Sequence, residues 1–376
     1  MNALTKPADI KVNFILTIAR TGSTLLSTML NEHPNVISTI EEPFAYSLYP
    51  KYKHIKKWTS KTIQNYCYDF YLFSEGKLEI QFGTKKDLET ILETHKKNLT
   101  IDLAIRLTYL CFFPTKNKNN ITTVVDKQLL FHSCLKEVSS FYPESKFIIL
   151  HRDPRDNAFT KWRMYEKKKE VGMQNYYRIA YDWNYTYNKI LSLKNKIGTN
   201  RFLDIKYEDL VTNPEIELQK ICSFLAITYQ PIMLEYDEKI KNEISELERK
   251  QGESSAKYYF SFHDGLAQKP KTNKIGYWKQ HLKPEEANLI WTVCGELAEK
   301  IGYKQDKDFI KQTLTFANYI TTLAFFGNRI KTKLYYASPF FIKHFIKKLK
   351  YRQKFKSHAL AKKGTQSFYE KTYHNN

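Results

Sequence analysis

Val12-Asn13-Phe14-Ile15-Leu16-Thr17-Ile18-Ala19, followed at once by Arg20-Thr21-Gly22-Ser23-Thr24, is the stretch on which the fold class turns. The first eight residues form an almost continuous apolar run of strand length, the pattern of a strand covered on both faces. After the Gly-containing turn, Leu25, Leu26, Met29 and Leu30 recur at helical spacing and stop near His33-Pro34. The sequence therefore predicts strand, tight loop, helix.

The same grammar returns twice. Ser145 to Leu150 reads as a strand, His151 to Asp156 as a turn, and Ala158 onward as helix. Arg201 to Tyr207 gives a third strand, and Asn213-Pro214-Glu215 opens a helix through Leu225. Such alternation predicts an α/β fold with a central parallel sheet flanked by helices. Between the first two units, about residues 45–125, clustered aromatics (Tyr66, Tyr68, Phe70, Tyr71, Phe73) predict a helical insertion. Glu235 to Ser255 reads as helix, Ala256 to Asn273 as loop, and Pro284 starts a helix with the stripe Ala287, Ile290, Trp291, Cys294, Leu297 and Ile301. Residues 1–305 are expected to form the main domain and 306–376 a helical, basic C-terminal extension.

Phosphates bind where backbone N–H groups converge at a helix start, helped by hydroxyls and a cation. Arg20, Thr21, Gly22, Ser23 and Thr24 offer all of these directly after a strand, although an ordinary turn with a Ser or Thr cap is the alternative. A nucleoside-triphosphate loop, GxxxxGK[ST], requires a first Gly and a Lys that are absent here, which disfavours a kinase. A second anion site is suggested by Arg152-Asp153-Pro154-Arg155-Asp156 at a strand end, with Thr160 two helical turns on. A salt-bridged turn is its alternative.

Four segments in this order carry a resemblance to the PAPS-dependent sulfotransferases, which use 3′-phosphoadenosine 5′-phosphosulfate (PAPS). The loop at Arg20–Thr24 resembles that family's 5′-phosphosulfate loop, with Thr21 in place of the usual Ser. Arg152 with Thr160 resembles its 3′-phosphate motif, and Tyr207-Glu208-Asp209-Leu210 its YEDL stretch. Lys271-Thr272-Asn273-Lys274-Ile275-Gly276-Tyr277-Trp278-Lys279 is similar to the late donor loop, although Thr272-Asn273 replace Lys-Gly. Asn31-Glu32-His33-Pro34 and Glu42-Pro43 look nearer to the Golgi-type and bacterial carbohydrate or tyrosylprotein branch than to the cytosolic steroid and phenol branch.

The resemblance implies a P-loop-like three-layer fold and sulfuryl transfer from PAPS to a hydroxyl, with no metal. It implies donor contacts from Arg20 to Thr24, Arg152, Thr160, Tyr207, Lys271 to Lys274, Gly276 and Trp278. Arg20 would stabilise the leaving phosphate. The base would be Glu42, favoured by the Glu-Pro pair, or Glu41, and Lys127 would add a second cation. His132 competes as base, but it stands three residues beyond where the cytosolic branch carries its His. The acceptor is left open among lipid, sterol, glycolipid and carbohydrate.

Formal charge is +21. Arg329 to Lys363 contains twelve Lys or Arg and no Asp or Glu, so this tail supplies more than half of the excess. It follows a charge-free run, Thr313 to Gly327, shorter than the roughly twenty residues that span a bilayer. The pattern suggests contact with an anionic membrane surface, against the alternative of a helix packed on the core with a solvated tail. No nucleic-acid-binding module accompanies the tail, so nucleic acid is not the expected partner. The five cysteines (Cys67, Cys111, Cys134, Cys222, Cys294) lack CxxC spacing and predict reduced thiols. The first residues lack a secretory signal pattern, making a cytoplasmic, peripherally membrane-associated location the default expectation.

Overall fold

The structure is a computed structural model that describes residues 6–74, 82–129, 135–167, 175–238, 241 and 268–361. His132, Cys134, most of the predicted helix Glu235 to Ser255 and most of the predicted loop Ala256 to Asn273 lie outside the described residues.

In chain order the elements are β1 (Lys11–Leu16), α1 (Ser23–Glu32), β2 (Val36–Ile40), α2 (Tyr49–Tyr52), α3 (Ser60–Ser74), α4 (Lys85–Thr94) and α5 (Ile101–Leu110). There follow β3 (Thr123–Gln128), α6 (Leu135–Phe141), β4 (Phe147–His151), α7 (Pro154–Lys167), α8 (Tyr176–Ile197) and β5 (Phe202–Lys206). The last are α9 (Tyr207–Thr212), α10 (Pro214–Leu225), α11 (Pro284–Lys300), α12 (Phe316–Ala337) and α13 (Phe340–Ala361). The strands form one sheet of order β2-β3-β1-β4-β5, and every pairing is parallel. This is the α/β, P-loop-like architecture predicted, a central parallel sheet flanked by helices.

β1 lies at the middle because it can be covered on both sides: five of its six residues are buried. Its register pairs Ile15 with Lys127 of β3 and with Ile148 of β4. Strands β2 and β3 went unrecognised in the sequence. Their buried residues include Ser38, Thr39, Asp126, Lys127 and Gln128, which break the apolar signature. These polar groups are tolerated because they satisfy one another: Ser38 shares a hydroxyl hydrogen bond with Ser27 (2.7 Å), and Thr39 donates to Asp126 (3.1 Å). The His33-Pro34 stop of α1 is also anchored from a distance. His33 Nδ1 accepts from the Asn35 N–H (3.1 Å), so Nε2 carries the proton and donates to the Thr228 carbonyl (2.7 Å).

The described chain divides into two compact units. One comprises residues 1–42, 117–237 and 265–333 and contains the whole sheet with α1 and α6 to α11. The other comprises 43–116, 238–264 and 334–376. The core of the second unit is aromatic: Phe44 stacks on Phe70 at 5.6 Å, Tyr52 on Trp58 at 5.6 Å, and Phe82 meets Phe112 edge-on at 4.7 Å. Its buried Asp69 accepts from Lys51 (2.5 Å) and from the Tyr52 hydroxyl (2.6 Å).

In the first unit α12 is tied to α8 through Asp182, which pairs with Lys161 of α7 (2.6 Å) and Arg329 of α12 (2.6 Å). Burial raises the Asp182 carboxyl pKa, but the two cations outweigh it and bring it down to about 2. A depressed carboxylate pKa contributes stability above the ordinary value of 3.8, and this is lost as pH falls through the folded value. Asp182→Asn should therefore lower unfolding stability by roughly 2 kcal/mol at neutral pH, the worth of bringing that carboxyl pKa from 3.8 down to about 2, and it leaves two cations without their carboxylate. Urea unfolding across pH checks this, since the gap to the wild type should shrink as the pH drops below about 4.

Candidate active site

Parallel strands place all their C-terminal ends along one edge, where open α/β sheets bind ligands. Five of the segments singled out in the sequence lie at those ends: Arg20–Thr24 after β1, Glu41 and Glu42 after β2, Lys127 at the end of β3, Arg152 after β4, and Tyr207 after β5. The chain order reverses at β1, which sits between β3 and β4. The two anion-site candidates flank this switch point.

The first loop is held by its neighbours. Thr17 donates to the Leu150 carbonyl (3.1 Å), and Asn157 of α7 donates to Ala19 O (3.0 Å) and to the Thr21 hydroxyl (3.3 Å). Thr21 is fully buried, and its own proton goes to Ile18 O (2.8 Å), so this hydroxyl shapes the loop. The capped-turn alternative is not what the fold uses: Gly22 is the N-cap of α1 and no side chain caps the helix. The N–H groups of the first turn are therefore left to other acceptors. Arg20 and Gly22 both adopt positive φ, 69° and 87°. For Arg20 this is a strained backbone, a state found where structure over-determines it.

Glycine is required at 22 for a second reason. A Cβ there would stand 2.3 Å from Cδ2 of Tyr207, whose ring lies directly against the loop. The guanidinium of Arg152 covers that ring at 4.5 Å. Arg152 is 4% exposed; it donates from Nη1 to Arg20 O (3.1 Å) and from Nη2 to Lys274 O (3.1 Å). Its Nε is buried with no partner among the described residues. Burial raises the Tyr207 pKa, so the ring beside the cation is a neutral phenol.

The late loop is fastened to the same place. Asp156 accepts from the backbone N–H of Gly276 (2.8 Å) and of Trp278 (2.8 Å), and burial raises its pKa. Lys271, Thr272, Asn273 and Lys274 are exposed, whereas Trp278 is buried against Arg155 at 4.2 Å, with Trp291 on the guanidinium at 4.3 Å. Arg155 also forks onto Asp153 (2.7 and 3.0 Å). The salt-bridged turn considered in the sequence is thus present, but it is made by Arg155 with Asp153, and Arg152 bonds instead to the Arg20 and Lys274 carbonyls. Glu208 of the YEDL stretch buttresses this turn, accepting from Asp153 N (3.0 Å) and from the Tyr303 hydroxyl (2.9 Å). Thr160 is half-buried and its hydroxyl donates to Asp156 O (2.7 Å).

After β2 and β3 the chain places an ion pair. Lys127 Nζ lies 2.7 Å from Glu41 Oε1, and the Glu41 N–H donates to Lys127 O (2.7 Å). Glu41 takes φ 59°, which turns the chain sharply between two adjacent acids. Its side chain is 28% exposed, while Glu42 is 4% exposed, beside Asp126 and Gln128, whose amide donates to Glu42 O (3.0 Å) and to Asp126 (2.8 Å). The sequence did not single out Asn157, Asp126, Gln128 or Tyr303. They act by holding the loops, and a strand-end polar residue bears no mark of that until its partners are known.

Residues 13–231 match the sequence profile of the sulfotransferase family. The chain is similar to protein-tyrosine sulfotransferase 2 of Gallus gallus, 24% identical over 234 residues that make up 60% of this chain and 54% of that protein. It is likewise similar to protein-tyrosine sulfotransferase A of Caenorhabditis elegans, 21% identical over 62% of this chain and 54% of the relative. The chain thus spans about half the length of these curated relatives. Among solved structures it is similar to the sulfotransferase domain from the curacin biosynthetic pathway, with a TM-score of 0.49, 21% identity, and coverage of 79% of this chain and 99% of that one. The profile covers more than half of the sequence, from within β1 through β5 and the loops after these strands. On that match the chain belongs to the sulfotransferase family.

Proposed function

We propose that this chain transfers a sulfuryl group from PAPS to the hydroxyl of an acceptor. The observation that carries the reading is the convergence of an uncapped helix start with the buried, incompletely bonded guanidinium of Arg152, joined through Tyr207 and Gly22. Two anion-binding features at one switch point suit a donor with two separated phosphate groups. The first-turn N–H groups of α1, with Ser23, Thr24 and Arg20, would take the 5′-phosphosulfate. Arg152 would take the 3′-phosphate through Nε, with Tyr207 beside it, Thr160 near and the exposed Lys271 to Lys274 segment over it.

In the reaction the acceptor oxygen bonds to sulfur while the bond from sulfur to the bridging phosphate oxygen breaks. The acceptor proton must go to a base, and the negative charge left on adenosine 3′,5′-bisphosphate must be met by cations. Of the two adjacent acids, Glu41 is better placed as base: its carboxylate reaches solvent and is held by Lys127, whereas Glu42 is packed among β3 side chains. Arg20 and Lys127 supply the positive charge. The similarity to protein-tyrosine sulfotransferases favours a phenolic or other hydroxyl acceptor, without naming one.

Calorimetric titration with adenosine 3′,5′-bisphosphate tests the donor assignment. The wild type should bind and Arg152→Ala should bind about a hundredfold more weakly, the cost of losing a charged hydrogen-bond donor at a buried anion; no binding to either protein would reject the donor. The base is tested separately by following release of the bisphosphate from PAPS with hydroxyl acceptors. Glu41→Gln should lower turnover by about 10² to 10⁴ with bisphosphate affinity retained. Glu42→Gln and His132→Ala should retain most of it, and a fully active Glu41→Gln would remove the assignment.

A further inference from the structure

The helix α12 is 22 residues long and is fixed by one face. Phe325 is buried against Tyr181 (5.2 Å) and Tyr185 (5.5 Å), Thr322 shares a hydroxyl hydrogen bond with Tyr177 (2.7 Å), and Arg329 pairs with Asp182. Another face is bare. Phe316, Tyr319, Ile320, Leu323, Ile330 and Leu334 are between 52% and 79% exposed. At 3.6 residues per turn these side chains fall within an arc of about 120°, and Lys331 and Lys333 stand at its two edges.

The following helix repeats the arrangement within its own unit. On α13, Phe340 meets Phe73 of α3 (5.4 Å) and His344 faces Tyr68 (5.7 Å), while Phe341 (71%), Phe345 (62%) and Leu349 (44%), one turn apart, are exposed. From Phe309 to Ala361 the chain has eleven Lys or Arg and not one Asp or Glu. No helix among the described residues is long and apolar enough to cross a membrane.

An exposed apolar stripe of this length needs an occupant. Burial of the stripe against a second copy of this chain would bring two acid-free, strongly basic surfaces together, which is electrostatically unfavourable. Nucleic acid would answer the charge but not the stripe. A bilayer surface rich in anionic lipid answers both: acyl chains take Leu323, Ile330 and their neighbours, and headgroups take the lysines at the edges. We propose that α12 and α13 each lie in the interface of an anionic membrane, with the fixed faces held by the protein and the bare faces in lipid. This stands apart from the sulfuryl-transfer reading, which it neither needs nor supports.

The test is co-sedimentation of the full chain with phosphatidylcholine vesicles, with and without phosphatidylserine. Binding should require phosphatidylserine and should weaken as salt rises, each lysine at the surface being worth about fivefold in affinity. The charge-neutral double variant Leu323→Asn/Ile330→Asn removes apolar surface alone, from exposed positions, and should bind at least tenfold more weakly with an unchanged circular dichroism spectrum. Vesicle binding by this variant equal to the wild type would overturn the proposal, as would failure of the wild type to bind. A lipid-independent dimer in sedimentation velocity that the double variant abolishes would instead assign the stripe to a second copy.

Discussion

The guanidinium of Arg152 joins three loops that the strands alone would leave independent. It reaches the carbonyl of Arg20 after β1, the carbonyl of Lys274 in the late loop, and the ring of Tyr207 after β5. Planarity makes this possible, since one fork donates in two directions while its face stacks on an aromatic ring. A lysine has no planar face to lay on the ring and no rigid fork to aim at two carbonyls. The group that would meet the donor is therefore also the group that builds the place where the donor would sit, and ligand binding and loop order are expected to rise and fall together.

A second carboxylate network stiffens this arrangement from behind. Asp156 fastens Gly276 and Trp278, Glu208 fastens Asp153, and Arg155 is clamped between two indole rings. Asp156 and Glu208 have pKa values raised by burial. Their bonds to backbone N–H groups offset part of that desolvation. Asp156 and Glu208 are turned toward the interior, where they hold backbone.

The sheet and its first loop were legible in the sequence because β1 and β4 are apolar on both faces and their loops carry Gly22 and Pro154. The helix opening at Pro214 and the stripe of α11 were legible for the same reason, local periodicity with a local signal. Strands β2 and β3 were not. Asp126, Lys127 and Gln128 are buried polar residues that satisfy Thr39, Glu41 and Glu42 across the sheet, and no window of sequence contains both partners. The different placement of Glu41 and Glu42 failed to show for a related cause. Neighbouring identical residues differ here only by the positive φ at Glu41, which sends one side chain to the edge and the other inward.

Gly22 and Tyr207 lie 185 positions apart in sequence, yet they contend for the same few ångströms of space. Any enlargement at 22 must be answered by a smaller ring at 207, and a smaller ring at 207 takes away the surface on which Arg152 rests. The three positions are thus one inherited unit: a change accepted at one alters which changes are accepted at the others, so divergence at this edge of the sheet would proceed by linked replacements.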